Sequence, residues 1–304
     1  MTSHTTPLTS AQVTKLREIL TEQGFDFLEK PYTIFAAKKG KLNISVYEKG
    51  PKALIQGKDT EDFIRFTLEP LVTGKAELDY EEVNDPEQFE PHFGIDESGK
   101  GDFFGPLVVA GVYTDKVITR HLISAGIMDS KRITSAAKIR QLAAIIKDTP
   151  NIAFDVIVLR PKKYNELYAS FNNLNRMLAW GHATVIEELA KKRPDCPRAL
   201  SDQFARASVL ETALKQKDVS LKLEQRTKGE SDTAVAAASI LARERFIDWM
   251  DAATEKAGFK IPLGASSQVV TAGKKVVEKY GAETLGSFAK LHFKTTEKVT
   301  GELF

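Results

Sequence analysis

Two strand-like segments follow each other closely from residue 92 and limit the folds that are open to the chain. "HFGIDES" (92–98) and "PLVVAGVYT" (106–114) are joined by the glycine-rich loop "GKGDFFG". Further on, "IAFDVIVLR" has the unbroken apolar run of a buried strand, and "SAAKIRQLAAIIKD" has the periodicity of a helix. Two strands in immediate succession, followed by strand–helix units, predict an α/β fold with a mixed sheet that is antiparallel in part.

The region before residue 85 has a different organisation. "LTSAQVTKLREILTEQG" has the apolar spacing of a helix, and "YTIFAA", "LNISVYE" and "KALIQG" predict short strands. In the second of these strands apolar and polar residues alternate, which predicts a sheet with one buried and one polar face. A small α+β domain of this kind could bind a ligand on its polar face, although a merely solvated face fits the pattern as well.

Three lysines and an acidic stretch complete this region. The hairpin "AAKKGKLN" presents Lys38, Lys39 and Lys41 together, and they are candidate contacts to substrate phosphates. The acidic stretch "ELDYEEVNDPEQFEPH" holds two prolines and few apolar residues, which predicts a linker. We therefore expect two domains, at residues 1–85 and 86–304.

Composition excludes several classes of protein. The chain has 43 basic and 41 acidic residues, so its bulk charge does not mark it as a polyanion binder. Its one cysteine, Cys196, excludes an internal disulfide and a zinc site made of cysteines, and it suits a reducing compartment. No stretch approaches the roughly 20 apolar residues of a membrane span, and the polar start has no signal-peptide pattern. We expect a soluble, cytoplasmic protein.

Two adjacent carboxylates, Asp96 and Glu97, precede the glycine-rich loop, which could hold either a phosphate or a metal ion. The spacing of Gly99, Gly101 and Gly105 is one residue too wide for a dinucleotide fingerprint, and a strand rather than a helix follows. The metal alternative is therefore favoured. If the strand continues through both carboxylates, they face opposite sides of the sheet, so we expect the loop to bring both to one site, with Glu97 at its rim.

Further carboxylates occur at the ends of predicted elements. Asp202 ends the short strand of "ALSDQF", and Asp232 precedes the alanine-rich helix of "TAVAAASILAR". Either could instead be a turn or helix-capping residue. A buried cluster of four carboxylates would need divalent cations, because like charges at short range disfavour ionisation. Mg²⁺ prefers such oxygen ligands. The histidines lack ligand spacing and are expected in the core or at the rim of the site: His92, His182 and His292.

Five motifs in consistent order resemble ribonuclease HIII, a branch of the ribonuclease HII group. They are "GIDESGKGDFFGPLVVAGVY", "DSKRI", "LNRMLAWGHA", "SDQF" and "TAVAAASILARERF". The resemblance covers about residues 92 to 304. It implies an RNase H-like mixed β-sheet with flanking helices, preceded by a small TATA-binding-protein-like domain. It also implies an endoribonuclease that cleaves the RNA strand of RNA–DNA hybrids.

The resemblance implies a quartet of site carboxylates, which here are Asp96, Glu97, Asp202 and Asp232. Glu230 stays open as an alternative to Asp232, which we prefer because it directly precedes the alanine-rich helix. The quartet is expected to bind two Mg²⁺ ions, or Mn²⁺, and the implied hydrolysis leaves 5′-phosphate and 3′-hydroxyl ends.

The resemblance also implies substrate contacts. The family's glycine-rich loop corresponds to Gly99, Lys100 and Gly101, which is expected to contact the backbone and the 2′-hydroxyls near the scissile phosphate. Because a 2′-hydroxyl donates and accepts hydrogen bonds, such a loop can distinguish RNA from DNA without reading bases. Ser130 and Lys131 of "DSKRI" are expected next to the site.

Two other functions stay open at this point. One is incision at single embedded ribonucleotides, the activity of the sibling ribonuclease HII, against which the N-terminal domain and Lys100 in place of the sibling's usual arginine argue. The other is hybrid binding without catalysis, against which the retained carboxylates argue. We expect the RNA–DNA hybrid as the partner, with no membrane, no obligate protein partner and a monomeric state.

Overall fold

The computed structural model describes residues 3–74, 85–127, 133, 135–227 and 229–301, except for the side chains of Arg65 and Glu230. The chain divides into two compact units, Met1–Asn84 and Asp85–Phe304. Within the described parts of both units, no helix is both long and apolar enough to cross a membrane.

The first unit is built on a five-stranded antiparallel sheet with the strand order β1-β5-β4-β3-β2. Its strands are β1 (Ser3–Pro7), β2 (Asp26–Leu28), β3 (Thr33–Lys39), β4 (Leu42–Tyr47) and β5 (Lys52–Gln56). Its helices are α1 (Ser10–Glu22) and α2 (Thr60–Phe63), and the latter continues as a π-helix (Ile64–Thr73). The two edge strands, β1 and β2, were not among the predicted strands.

One face of this sheet is covered by α1. The helix begins with a capping box in which the Thr9 side chain accepts from the Gln12 amide and the Gln12 side chain accepts from the Thr9 amide. Its buried residues join Ile44 and Val46 of β4 in one apolar core. The alternation in β4 thus predicts the buried face, and only Ser45 departs from it, being buried on the polar side, where the Lys30 ammonium donates to its hydroxyl.

The second unit contains a five-stranded mixed sheet, which confirms the α/β prediction. Its strand order is β10-β9-β6-β7-β8, with β10, β9 and β6 parallel and with β7 and β8 running antiparallel in turn. The strands are β6 (His92–Ser98), β7 (Leu107–Thr114), β8 (Ala153–Leu159), β9 (Arg198–Asp202) and β10 (Lys222–Arg226). Strand β8 lies at the sheet edge and is mostly half-buried, so the prediction that it is a buried strand is wrong.

Helices cover both faces of this sheet. They are α3 (Lys116–Ser124), α4 (Ala136–Asp148), α5 (Pro161–Phe171), α6 (Leu174–Lys192), α7 (Ala207–Lys215), α8 (Thr233–Ala257), α9 (Ser267–Tyr280) and α10 (Thr295–Thr300). Short 3₁₀ helices are formed by Pro86–Phe89, Gly229–Ser231 and Ala282–Ser287. Val108 and Ala110 of β7 face the core shared with α8, whereas Val109 faces the core shared with α6. This alternation assigns α8 and α6 to opposite faces.

Helix α8 lies directly against β6 at Gly94. A Cβ atom on Gly94 would come within 2.2 Å of the Ala234 carbonyl carbon and 2.3 Å of the Val235 nitrogen. Only glycine allows this close approach. The contact fixes the start of α8 beside the first half of β6, and the later turns of α8 extend along the second half, where the predicted site begins.

Two sequence-based expectations concern other parts of the second unit. Residues 85–92 of the predicted linker are ordered against the second unit, because Phe89 is buried and the Gln88 side chain accepts a hydrogen bond from the Thr233 hydroxyl. The other expectation concerns "DSKRI": Ser130 and Lys131, together with Asp129, lie outside the described residues.

Candidate active site

Asp96 and Asp202 lie side by side at the ends of two parallel strands. The register pairs Ile95 of β6 with Ser201 of β9, so the following residues, Asp96 and Asp202, share the face that is covered by α8. The Asp96 carboxyl also accepts a hydrogen bond from the Ser239 hydroxyl of α8. The structure therefore brings these two predicted site residues together.

The charge of Asp96 is poorly compensated. Burial and the neighbouring carboxylates of Glu97 and Asp202 together raise the pKa of Asp96 to about 7, against the opposing hydrogen bond from Ser239. Its charged form is therefore disfavoured by the apolar surroundings and by the like charges. The donor set is therefore one that a divalent cation would fit, since the cation would offset the repulsion and bind hard oxygen ligands.

Glu97 lies on the opposite face, where the side chains of His182 and Lys100 hold it. Its Oε2 accepts from Nε2 of His182 at 3.1 Å, and its Oε1 accepts from Nζ of Lys100 at 3.3 Å. Burial alone would raise the pKa of Glu97, but the hydrogen bond and charge of His182, followed by Lys100, hold it below its usual range. Unlike Asp96, Glu97 is stabilised in its charged form.

The strand continues through both Asp96 and Glu97, which is the case in which the sequence predicts that they face opposite sides of the sheet. The pairing of β6 with β7 continues through Asp96, opposite Ala110, to Ser98, opposite Val108. The two carboxyl groups therefore project to opposite faces. They can serve one site only around the C-terminal end of β6, where the pairing of β6 with β9 has ended.

Asp232 is not brought to the other carboxylates. It is the N-cap residue of α8, and one of its carboxylate oxygens accepts from the amides of Ala234 and Val235. Both oxygens lie 3.1 Å from Nε2 of His92, a fully buried residue at the opposite end of β6 from Asp96. Burial would raise the pKa of Asp232, but His92 and the helix amides hold it low.

His92, the partner of Asp232, lies well away from Asp96 along β6. His92 and Asp96 are four residues apart on one strand, which corresponds to roughly 13 Å. Glu230, the alternative that the sequence left open, lies in the 3₁₀ turn Gly229–Ser231. The Gly229 amide at the start of that turn donates to Oδ1 of Asp202 at 3.1 Å, so the turn adjoins the Asp96–Asp202 pair.

The described side chains do not form a ready-made metal cage. Among the residues whose side chains are described, no three of His, Cys, Asp and Glu are arranged to hold a metal ion. Asp232, the fourth predicted carboxylate, is bonded to His92 instead.

Gly99 and Gly101 of the glycine-rich loop differ in whether the fold requires a glycine there. Gly99 has a φ of +85°, and a Cβ atom there would lie 2.2 Å from the Pro106 carbonyl oxygen. Around Gly101, by contrast, no atom lies within 4 Å of the position of a Cβ. The chain therefore leaves room at Gly101, next to Lys100 and at the same end of β6 as the carboxylates.

The far end of this loop is fixed by distant residues. Oδ1 of Asp102 accepts from the Gly264 amide at 2.6 Å, and the Phe103 amide donates to the Gly264 carbonyl at 2.9 Å. Lys290 is fully buried, and its ammonium donates to the carbonyls of Asp102 at 2.8 Å and Phe104 at 3.4 Å. Burial lowers the pKa of Lys290 to about 7, although the negative charge of Asp102 opposes this. No motif in the sequence indicated this role.

The three candidate lysines of the first unit do not share one face. Lys39 lies on the helical side, where its ammonium donates to the Gln23 carbonyl at 2.6 Å and lies 5.6 Å from the centre of the Phe25 ring. Lys38 pairs with Asn43 in the register of β3 and β4, which assigns it to the opposite, polar face. Lys41 lines an open cavity of about 900 Å³ on that polar face.

The comparisons with known proteins agree on one family. A family model for ribonuclease HII matches residues 93–296. Ribonuclease HIII of Protochlamydia amoebophila (strain UWE25) is 43% identical over 289 residues, which cover 95% of this chain and 94% of that protein. Ribonuclease HIII of Chlamydia felis (strain Fe/C-56) is 42% identical over 300 residues, with 98% and 97% covered. The crystal structure of Bst-RNase HIII in complex with Mn²⁺ is similar with a TM-score of 0.66 at 26% identity, covering 99% of this chain and 98% of that chain.

Proposed function

Because the chain belongs to the ribonuclease HII family, we propose that it cleaves the RNA strand of RNA–DNA hybrids at a site built on Asp96, Glu97 and Asp202. The match to ribonuclease HIII over nearly the whole chain identifies the branch. The protein is thus an endoribonuclease, a hydrolase that acts on phosphodiester bonds. The observation that carries the site is the poorly compensated Asp96 carboxyl next to Asp202, beside a loop with open space at Gly101.

We assign divalent cations, Mg²⁺ or Mn²⁺, to the Asp96–Asp202 face, with Glu97 reaching it around the end of β6. When bound, such cations supply an activated water and charge stabilisation at the leaving oxygen. The chain itself holds Asp96 through Ser239 and Asp202 through the Gly229 amide. These contacts orient the ligands before substrate arrives, which lowers the cost of assembling the site.

For the fourth carboxylate the proposal takes Glu230 rather than Asp232. The Asp232 carboxylate already has His92 and two helix amides as partners. Glu230 directly follows Gly229, whose amide donates to Asp202.

The glycine-rich loop is proposed to contact the ribose. The open space at Gly101 lets the loop backbone approach a ribose, and a backbone amide or carbonyl can bond a 2′-hydroxyl without reading the base. Lys100 is partly exposed next to Glu97 and could contact a phosphate. The variant Gly101→Ala tests this contact, because nothing in the chain obstructs a Cβ at that position. A raised KM at unchanged thermal stability would show that the added methyl group obstructs the substrate rather than the fold.

The first unit is proposed to be a TATA-binding-protein-like substrate-binding domain. Its polar sheet face carries Lys41, Asn43 and Ser45 along the open cavity. Lysines there can neutralise phosphates of a hybrid irrespective of its sequence. The proposed site residues all come from one chain, so we further propose that a monomer is active, in the reducing cytoplasm that suits the free, buried Cys196.

A digest of labelled substrates tests the function. The full-length protein should cleave the RNA strand of a hybrid with Mg²⁺ or Mn²⁺ and should stop when the metal is chelated, leaving 3′-hydroxyl ends that a polymerase extends. An all-DNA duplex of the same sequence is the matched control. Cleavage confined to a duplex with a single ribonucleotide would instead favour the sibling activity, and tight hybrid binding without cleavage in either metal would contradict the enzymatic proposal.

A further inference from the structure

His182 joins three segments of the chain at the proposed site. It lies in α6 and is fully buried. Its Nε2 is 3.1 Å from Oε2 of Glu97 on β6, and its Nδ1 is 3.2 Å from Oγ of Ser201 on β9. The Phe204 ring, after β9, lies with its centre 4.7 Å from the centre of the imidazole. One side chain thus contacts both strands that carry the proposed ligands.

The direction of the hydrogen bond to Glu97 is determined by chemistry. A carboxylate only accepts, so Nε2 carries the proton and donates it towards Oε2. Glu97 could otherwise rotate freely at the end of β6, where its other partner, Lys100, is a flexible and partly exposed side chain. The buried imidazole is therefore the rigid partner of the pair, and it determines where the Glu97 carboxylate lies.

The second contact couples Glu97 to Asp202. Ser201 precedes Asp202, and its hydroxyl also donates to the Asp202 carbonyl at 2.9 Å. A displacement of His182 would therefore be transmitted to the backbone that carries Asp202, as well as to Glu97. Ser201 itself is fully buried, so water cannot replace this contact easily.

We infer that His182 is a positioning residue for the hydrolysis, which holds the Glu97 carboxylate and, through Ser201, ties it to the strand end that carries Asp202. The inference rests on the proposed function, because it requires Glu97 and Asp202 to act in the site. Partners of this kind behind a metal ligand change metal affinity or activity by about 10- to 100-fold when they are removed.

His92 provides a matched control within the same protein. It is also a fully buried histidine that is bound to a carboxylate, Asp232, at 3.1 Å. Its carboxylate lies at the other end of β6, outside the proposed site. A purely structural role predicts that losing either histidine destabilises the fold, whereas a positioning role predicts a catalytic effect for His182 alone.

The test compares full-length His182→Gln, His182→Asn and His92→Asn on a labelled hybrid, with the metal concentration for half-maximal rate and the metal-free Tm measured in parallel. The amide nitrogen of Gln can stand in for Nε2, whereas that of Asn replaces only Nδ1. We expect His182→Asn to lower kcat by about 10- to 100-fold and to raise the metal requirement, with KM for the hybrid little changed. His182→Gln should recover most of kcat, and His92→Asn should lower Tm without changing kcat.

Ser201→Ala keeps the inference testable should His182→Asn not fold, and a smaller loss with the same kcat and metal signature is expected. The inference would be overturned if folded His182→Asn or Ser201→Ala kept the wild-type kcat and metal requirement. It would also be overturned if all the variants lost kcat equally and only in step with their loss of Tm. Failure of the proposed function itself is distinguishable, because then the wild-type protein would show no metal-dependent cleavage of the hybrid.

Discussion

Nε2 of His92 lies 3.1 Å from both carboxylate oxygens of Asp232, across 140 residues of sequence. This buried pair fixes the N-terminus of α8 against β6. It also engages the carboxylate of Asp232, which the sequence favoured as the fourth metal ligand. We therefore expect Glu230→Gln to reduce kcat by at least about a hundred-fold at matched metal concentration, while Asp232→Asn leaves kcat nearly unchanged.

In stability, by contrast, Asp232→Asn should be affected more than Glu230→Gln. Asn can still cap the helix, but Asp232→Asn leaves His92 buried without its anionic partner, which costs about 1 to 3 kcal/mol of unfolding free energy. Denaturant unfolding without metal measures this cost. Should Asp232→Asn abolish cleavage while Glu230→Gln does not, the fourth ligand would be Asp232 after all.

Asp96→Asn should abolish cleavage and preserve binding of the hybrid. The amide removes a charged ligand from the Asp96–Asp202 face and also removes repulsion towards the phosphates. Because the Asp96 carboxyl is buried next to two other carboxylates, the substitution should not lower the unfolding free energy of the metal-free protein at neutral pH. Cleavage assays, hybrid titrations and denaturant unfolding check the three parts. Near-wild-type turnover at saturating Mg²⁺ would contradict the site.

The sequence predicts that Asp96 and Asp202 share one site, because both are carboxylates on predicted strands and because the family that the chain resembles has site carboxylates at the corresponding positions. It cannot separate Asp232 from Glu230, since an aspartate just before a helix satisfies the N-cap preference and the metal hypothesis equally well. The deciding partner, His92, comes from 140 residues away, and only the packing of α8 on Gly94 brings the two together.

Other features could not be predicted for related reasons. The edge strands β1 and β2 are short and largely polar or exposed, so they form through pairing with their neighbours rather than through an apolar pattern of their own. The side chains of His182 and Lys290 are buried polar groups. Nothing in their local sequences, "LAWGHA" and "FAKLHF", specifies which distant group accepts their hydrogen bonds. Long-range contacts alone give them their roles.

The buried Lys290 should make stability depend on pH. Its pKa is about 7 in the folded state and near its ordinary value of 10.5 when unfolded, so the unfolded chain binds the extra proton between these values. Stability should therefore rise as pH increases from about 7 to about 10, by on the order of 3 kcal/mol from this residue. The groups that face Lys290, among them Asp102, Tyr164 and His292, are common to all variants.

Comparison of variants isolates the contribution of Lys290. Lys290→Met should lose this rise, and it should also be less stable at high pH, because the Asp102 and Phe104 carbonyls lose their donor. Lys279→Met is the matched control, since the exposed Lys279 also donates to a backbone carbonyl, that of Ala257. Denaturant unfolding at several pH values measures both. A wild-type pH dependence in Lys290→Met would show that the amine does not titrate as expected.

The effect on hybrid binding of substituting each lysine of the first unit should depend on the sheet face on which that lysine lies. Lys38 and Lys41 belong to the polar face, so Lys38→Ala and Lys41→Ala should each weaken hybrid binding and lower the slope of log Kd against log salt by about one. Lys39→Ala should leave that slope unchanged, because the Lys39 ammonium is bonded to the Gln23 carbonyl on the helical side, and it should instead cost about 1 kcal/mol of stability. Titrations of the full-length variants at two salt concentrations give the slopes. Equal slopes for wild type, Lys38→Ala and Lys41→Ala would mean that this face does not hold the hybrid, and a reduced slope for Lys39→Ala alone would assign binding to the opposite face.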